Sequence, residues 1–187
     1  IHTPSFWKLL CLNTPYRDFL KEHTAELFDL MPVDGLWLDI IEPRDCSCRY
    51  CWADMEKMGL DPRKTADRHR FADDMGTEFM LEMTSHIRQF DQNCTIYYNS
   101  GHIWPFHQRT AAAFTHFDLE SLSSTNYWPY PYFQTTARYA RNLGKNIVGM
   151  TGKFHTSWGD FHSFKSQAAL EFDCFQRIIE CRDIVIC

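Results

Sequence analysis

Short apolar runs alternate with amphipathic stretches along this 187-residue chain, and that alternation admits few folds. Residues 7–13 (WKLLCLN), 33–40 (VDGLWLDI), 94–102 (CTIYYNSGH), 114–122 (FTHFDLESL), 146–154 (NIVGMTGKF) and 183–187 (DIVIC) have the β-branched and aromatic content of strands. Helix signals lie between them. Thr14 reads as an N-cap with Pro15 at the first helical position, Leu20, Leu27 and Met31 recur on one stripe, and Pro32 stops the helix. Phe71, Met75, Phe79, Met83 and Ile87 mark a second helix across a long loop. Residues 132–144 read as a helix closed by Gly144 in a left-handed cap, and residues 166–182 as another. The near-continuous apolar character of 33–40 suits a parallel strand covered on both faces.

Repeated βαβ units build either a doubly wound sheet or a (β/α)8 barrel. The first usually carries a glycine-rich phosphate turn after an early strand, and neither G-x-G-x-x-G nor a P-loop occurs here. The second gathers polar residues at its strand ends. Each strand here ends that way: Asn13, Asp39, Asn99 with His102, Glu120, and His155 with Trp158. The expected fold is therefore an α/β (β/α)8 TIM barrel. A complete barrel takes about 250 residues, so residues 1–187 are expected to be one incomplete catalytic domain. It would run from about strand three to strand eight, without the first two βα units.

Asp39 and Glu120 are the carboxylates that terminate strong strand candidates on the expected active face. A carboxylate buried without partners is costly, so each must lie where the core opens, be paired, or have a task. Two carboxylates facing each other across a barrel mouth are what a retaining glycosidase needs, one as nucleophile and one as general acid/base. Trp37, Trp104, Trp128, Tyr130, Phe154 and Trp158 offer aromatic faces to the C–H faces of a sugar, and Asn99, His102 and His155 offer hydrogen bonds to its hydroxyls. The plainer alternatives stay open: Asp39 as a helix cap or a partner of Arg44 or Arg49, and Glu120 as a partner of Arg109 or Arg138. A net charge of -5 with mixed signs gives no nucleic-acid footprint, and no segment is long and apolar enough to span a membrane. The expected partner is an oligosaccharide or glycoconjugate substrate, and a homo-oligomer is allowed.

Three of the eight cysteines fall in Cys46-x-Cys48-x-x-Cys51, a spacing too tight for a pair of disulfides and better suited to a metal. Such thiols suit a reducing, cytoplasmic compartment. Free thiols in a loop are the alternative.

The stretch 33–40 also resembles the nucleophile strand of the α-L-fucosidases of glycoside hydrolase family 29, with Asp34, Leu36, Trp37 and Asp39 on the pattern D-x-L-W-x-D. LESLSSTNYWPY resembles the segment in which those enzymes place an acid/base glutamate before an aromatic-Gly-Tyr run, with Pro129 standing where the glycine is usual. The likeness extends to glycoside hydrolase family 151 through CLNTPYRDFL, the cysteine loop, GMTGKFHTSWGDF and KSQAALEFDCF, with FHSFK in place of an FGGFK-like run. It implies a retaining exo-glycosidase of terminal α-L-fucose, with Asp39 as nucleophile, Glu120 as acid/base and no catalytic cofactor. The cysteine loop with Cys11 resembles the four-cysteine zinc site of family 42 β-galactosidases, which implies a structural Zn2+ on Cys11, Cys46, Cys48 and Cys51. Two further readings remain: a β-galactosidase-like enzyme, and a carbohydrate-binding barrel without turnover, supported by Pro129 and His162.

Overall fold

The computed structural model describes residues 9–120, 130–154 and 163–181, and of residues 183–186 the backbone. It divides into two units, residues 1–36 with 41–94 and residues 37–40 with 95–187.

In the first unit the long helix α3 (Thr65–Ile87) buries Phe71, Met75, Phe79, Met83 and Ile87, the stripe its spacing predicts, and adds Met80. Helix α1 (Tyr16–Leu30) is tied to α3 by Arg17, whose Nη1 donates to Glu78 at 3.0 Å and Glu82 at 2.9 Å. Its expected apolar stripe is shallow: Thr24 is the buried residue, while Met31 beyond the helix end is exposed. Residues 9–13, expected as the end of a strand, are not one. Their carbonyls are taken up locally instead. Cys11 O accepts from Thr14 Oγ1 at 2.7 Å and Leu12 O from Arg17 Nε at 3.0 Å. The loop before α3 holds an unexpected helix, α2 (Arg49–Lys57), which buries Cys51 and Met55 one turn apart. At nine residues and overlapping the cysteine motif, it is too short to stand out in the sequence.

In the second unit, β2 (Thr95–Tyr98) is hydrogen-bonded to β1 (Gly35–Leu38), whose Trp37 and Leu38 belong to this unit. After the short helix α4 (His107–Thr110) and a 3-10 turn comes β3 (His116–Glu120). Helix α5 (Pro131–Arg141) leads to β4 (Asn146–Thr151), and α6 (Gln167–Glu180) to β5 (Asp183–Ile186). Strands β3, β4 and β5 form a parallel sheet in sequential order, with Glu120 opposite Met150 and Thr151 opposite Ile186. Parallel strands joined by helices are the βαβ units expected. Gly144 closes the α5 turn at φ 74°, as its position predicts.

Among the described residues the strands make two sheets and no closed barrel. Thr115 bridges them, its N–H donating to Ile96 O at 3.0 Å and its Oγ1 accepting from Ile96 N at 2.8 Å. Strand β1, expected to be covered on both faces, pairs among the described residues with β2 and leaves Trp37 46% exposed. Helix α6 buries Asp173, Arg177 and Glu180 and exposes Phe175, Ile178 and Ile179. Arg177 lies along β4, where Gly149 leaves room for it: a Cβ there would sit 2.5 Å from Arg177 Cγ.

Candidate active site

Asp39 follows the last residue of β1 and is exposed, so the carboxylate that ends the apolar run lies where the core opens. Asn99, 8% exposed just beyond β2, holds it. The Asn99 N–H donates to Leu38 O at 2.8 Å, and its Nδ2 donates to Asp39 Oδ1 at 2.7 Å. Ile40, the next residue, has φ 53°, a conformation strained for a β-branched side chain. Asn99 Oδ1 accepts from Gly101 N at 3.0 Å, and Gly101 O accepts from Glu120 N at 3.2 Å. Gly101 sits at φ 78°, where a Cβ would be penalised. A run of hydrogen bonds thus leads from the Asp39 carboxylate to the backbone of Glu120.

Alternation along β3 sets His116, Asp118 and Glu120 on one face, with Phe117 and Leu119 on the other. Burial first, then the charges of Asp39 and Asp118, push the Glu120 carboxyl up to about 7. Burial also pushes Asp118 up to about 7. Tyr97 on β2 completes the cluster. Its hydroxyl donates to Asp118 O, its ring stacks on His116 at 5.7 Å, and it is raised well above the usual phenol range by burial and by Asp118, Glu120 and Asp39.

The aromatic candidates divide. Trp37 packs edge-on against Tyr97 at 5.3 Å, and His102 lies against Trp104 at 4.3 Å and edge-on to Tyr132 at 6.3 Å. Tyr130 belongs elsewhere, 45% exposed and edge-on to Phe172 at 5.0 Å. Trp128, His155 and Trp158 lie outside the described residues. Of the arginines offered as structural partners, Arg44 pairs with Glu42 at 2.5 Å, Arg49 Nη2 donates to Tyr50 Oη, and Arg138 faces Glu180 at 3.5 Å.

In the first unit Cys11, Cys46, Cys48 and Cys51 bring four sulfurs within 4.8 Å of one another. Sγ of Cys11 is 3.4 Å from that of Cys51 and 3.8 Å from that of Cys48. A tetrahedral ion with metal–sulfur bonds of about 2.3 Å sets its ligands about 3.8 Å apart, so the four side chains fit a metal ion. Cys11 is held down to about 5 by the Cys51 thiol, whereas that same hydrogen bond and burial push Cys51 up, and burial pushes Cys46 up to about 11.

No family model and no curated protein matches the chain. Among solved structures, α-L-fucosidase isoenzyme 2 from Paenibacillus thiaminolyticus matches at a TM-score of 0.87 and 32% identity over 98% of this chain. The chain resembles an α-L-fucosidase. It spans 28% of the length of that enzyme.

Within this fucosidase-like chain, sequence reasoning passed over Asp118, Tyr97 and His107. His107 is buried and pulled down to about 4 by that burial, so it stays neutral and its Nδ1 accepts from Trp104 N at 3.2 Å. It fixes the turn that carries His102 and Trp104. The signal for Asp118 was present in HFDLE, where period-two alternation places it beside Glu120. No helix of the described residues is long and apolar enough to cross a membrane.

Proposed function

We propose that this chain is the catalytic barrel portion of a retaining exo-glycosidase that releases terminal α-L-fucose. The observation that carries the reading is the pairing of an exposed, amide-held Asp39 with a Glu120 whose protonated form is favoured up to about 7. Opposed protonation of two carboxyls is what the chemistry requires. Asp39 attacks the anomeric carbon as Glu120 gives its proton to the departing glycosidic oxygen, leaving a glycosyl ester on Asp39. Glu120, now a carboxylate, takes a proton from water, which displaces the sugar and restores Asp39. The likeness to a fucosidase favours fucose, and the βαβ units with their polar strand ends favour a (β/α)8 barrel with the site at the C-terminal ends of its strands. Asn99 holds Asp39, Trp37 packs on Tyr97 of the carboxyl cluster, and His102 and Trp104 pack on each other in the turn that follows Gly101.

The test is hydrolysis of 4-nitrophenyl α-L-fucoside and of the β-D-galactoside by the full-length protein, with Asp39→Ala and Glu120→Ala beside the wild type. Fucoside turnover should vanish in Asp39→Ala, and azide should restore part of the activity of Glu120→Ala. Activity indifferent to Asp39 would overturn the assignment. The cysteine cluster favours a second reading, a β-galactosidase-like enzyme, which galactoside turnover would select. On either reading the four thiolates would hold a structural Zn2+, closing its coordination and pinning the loops around Cys11 and α2. Elemental analysis should find one zinc per chain, and chelation should lower the denaturation midpoint; no stoichiometric metal would remove the zinc.

A further inference from the structure

The proposed mechanism uses Asp39 and Glu120 and leaves a third carboxyl of the same cluster without a task. Asp118 lies two residues before Glu120 on the same face of β3 and is 4% exposed. Its Oδ1 is buried and has no hydrogen-bond partner among the described residues. Such an atom is expensive to keep, and a better-matched fold would replace it with an apolar side chain. The titratable groups around it are Glu120 and His116 on the same face of its own strand, Tyr97 from β2, whose hydroxyl donates to its carbonyl, and Cys181 after α6, while Asp39 from the end of β1 acts on Glu120 and Tyr97. Among the described residues no cation acts on Asp118 or Glu120. His116 is kept neutral by burial, which pulls it down.

We propose that Asp118 is a positioning residue for Glu120, a second carboxyl beneath the acid/base that keeps the transferable proton on the pair until substrate arrives. The inference rests on the glycosidase reading of Glu120. Two carboxyls in one enclosure cannot both ionise freely, so the pair gives up its protons in two steps that belong to both groups. When the last proton leaves, the other member is already charged, and that charge delays the loss. Asp118 touches no reacting atom in this scheme.

The test is the pH dependence of kcat/KM in the full-length protein, with a natural-type oligosaccharide that needs the acid and a nitrophenyl fucoside that needs it far less. In Asp118→Asn the basic limb for the oligosaccharide should move down by about one unit, which is about tenfold less activity above the limb. The nitrophenyl substrate should change little at the same pH, and Asp118→Glu, which keeps the charge, should restore the limb. A basic limb that stays in place in Asp118→Asn overturns the proposal. Where Asp118→Asn fails to fold, carboxyl 13C titration of the wild type reads the same coupling. A two-step curve that becomes single in Glu120→Gln supports it, and independent single steps overturn it. If Glu120→Gln hydrolyses the oligosaccharide like the wild type, the glycosidase reading itself has failed, whereas the titration still reports on the pair.

Discussion

Asp118 and Asp173 are both aspartates in the second unit, 4% and 1% exposed, yet they stand in opposite surroundings. Asp173 on α6 accepts from Thr151 Oγ1 at 2.8 Å and from Lys165 Nζ, and Arg177 Nη1 lies 3.6 Å from its other oxygen. Lys165 also donates to Thr151 Oγ1 at 2.8 Å. Arg177 spends its remaining donors on Met150 O at 3.1 and 2.9 Å and on Asp173 O at 2.7 Å, with Phe133 stacked at 4.4 Å. There, buried charge is answered by opposite charge, which fixes α6 on β4, although Asp173 Oδ1, like Asp118 Oδ1, has no hydrogen-bond partner among the described residues. Among the described residues no such answer is given to Asp118, and burial favours its protonated form. A buried carboxyl with cations is part of the scaffold; one that must carry a proton, beside the proposed acid/base Glu120, is available to chemistry.

The largest effect should come from breaking the compensated site. Asp173→Ala strands Lys165 and Arg177 in the core and should cost about 3 to 5 kcal/mol, read as a fall in the denaturation midpoint of the full-length protein. The loss should persist across the neutral range, because the two cations lose their carboxylate at every pH there. A midpoint within error of the wild type would show that the cations find water or new partners, and the contrast with Asp118 would be lost.

How far the sequence discloses these regions depends on periodicity. The α3 stripe from Phe71 to Ile87 could be read because its residues bury at 3.6-residue spacing, and β3 and β4 because short apolar runs are bounded by turns. Asp39 and Glu120 stood out as charges interrupting apolar runs. Helix α6 inverts that signal, since its apolar Phe175, Ile178 and Ile179 are exposed and its charges are inside, so the Asp173 network could not be read from hydropathy. The resemblance of KSQAALEFDCF to a family segment marked it without explaining it. Asp118 was hidden for a different reason. Alternation puts it on the Glu120 face, but only the strand's neighbours show that no cation among the described residues comes with it. The misassigned strand at 9–13 failed through side chains, because Thr14 and Arg17 take the carbonyls a ladder would need.

The uncompensated site should answer mutation in the opposite direction. Burial raises Asp118 from its ordinary 3.8 to about 7 in the folded chain. At pH values below 3.8 folded and unfolded chains both hold the proton, and the group costs nothing. As pH rises towards 7 the unfolded chain releases its proton first, so it is favoured and stability falls; at pH values above 7 the penalty is complete. Asp118→Asn removes the ionisation and should gain up to about 4 kcal/mol at about pH 8, with no gain near pH 3.5, measured by denaturant titration at the two pH values. An equal change at both would mean that the substitution acts through packing rather than charge. A loss at high pH would mean that a cation does reach Asp118, and that the two aspartates are alike after all.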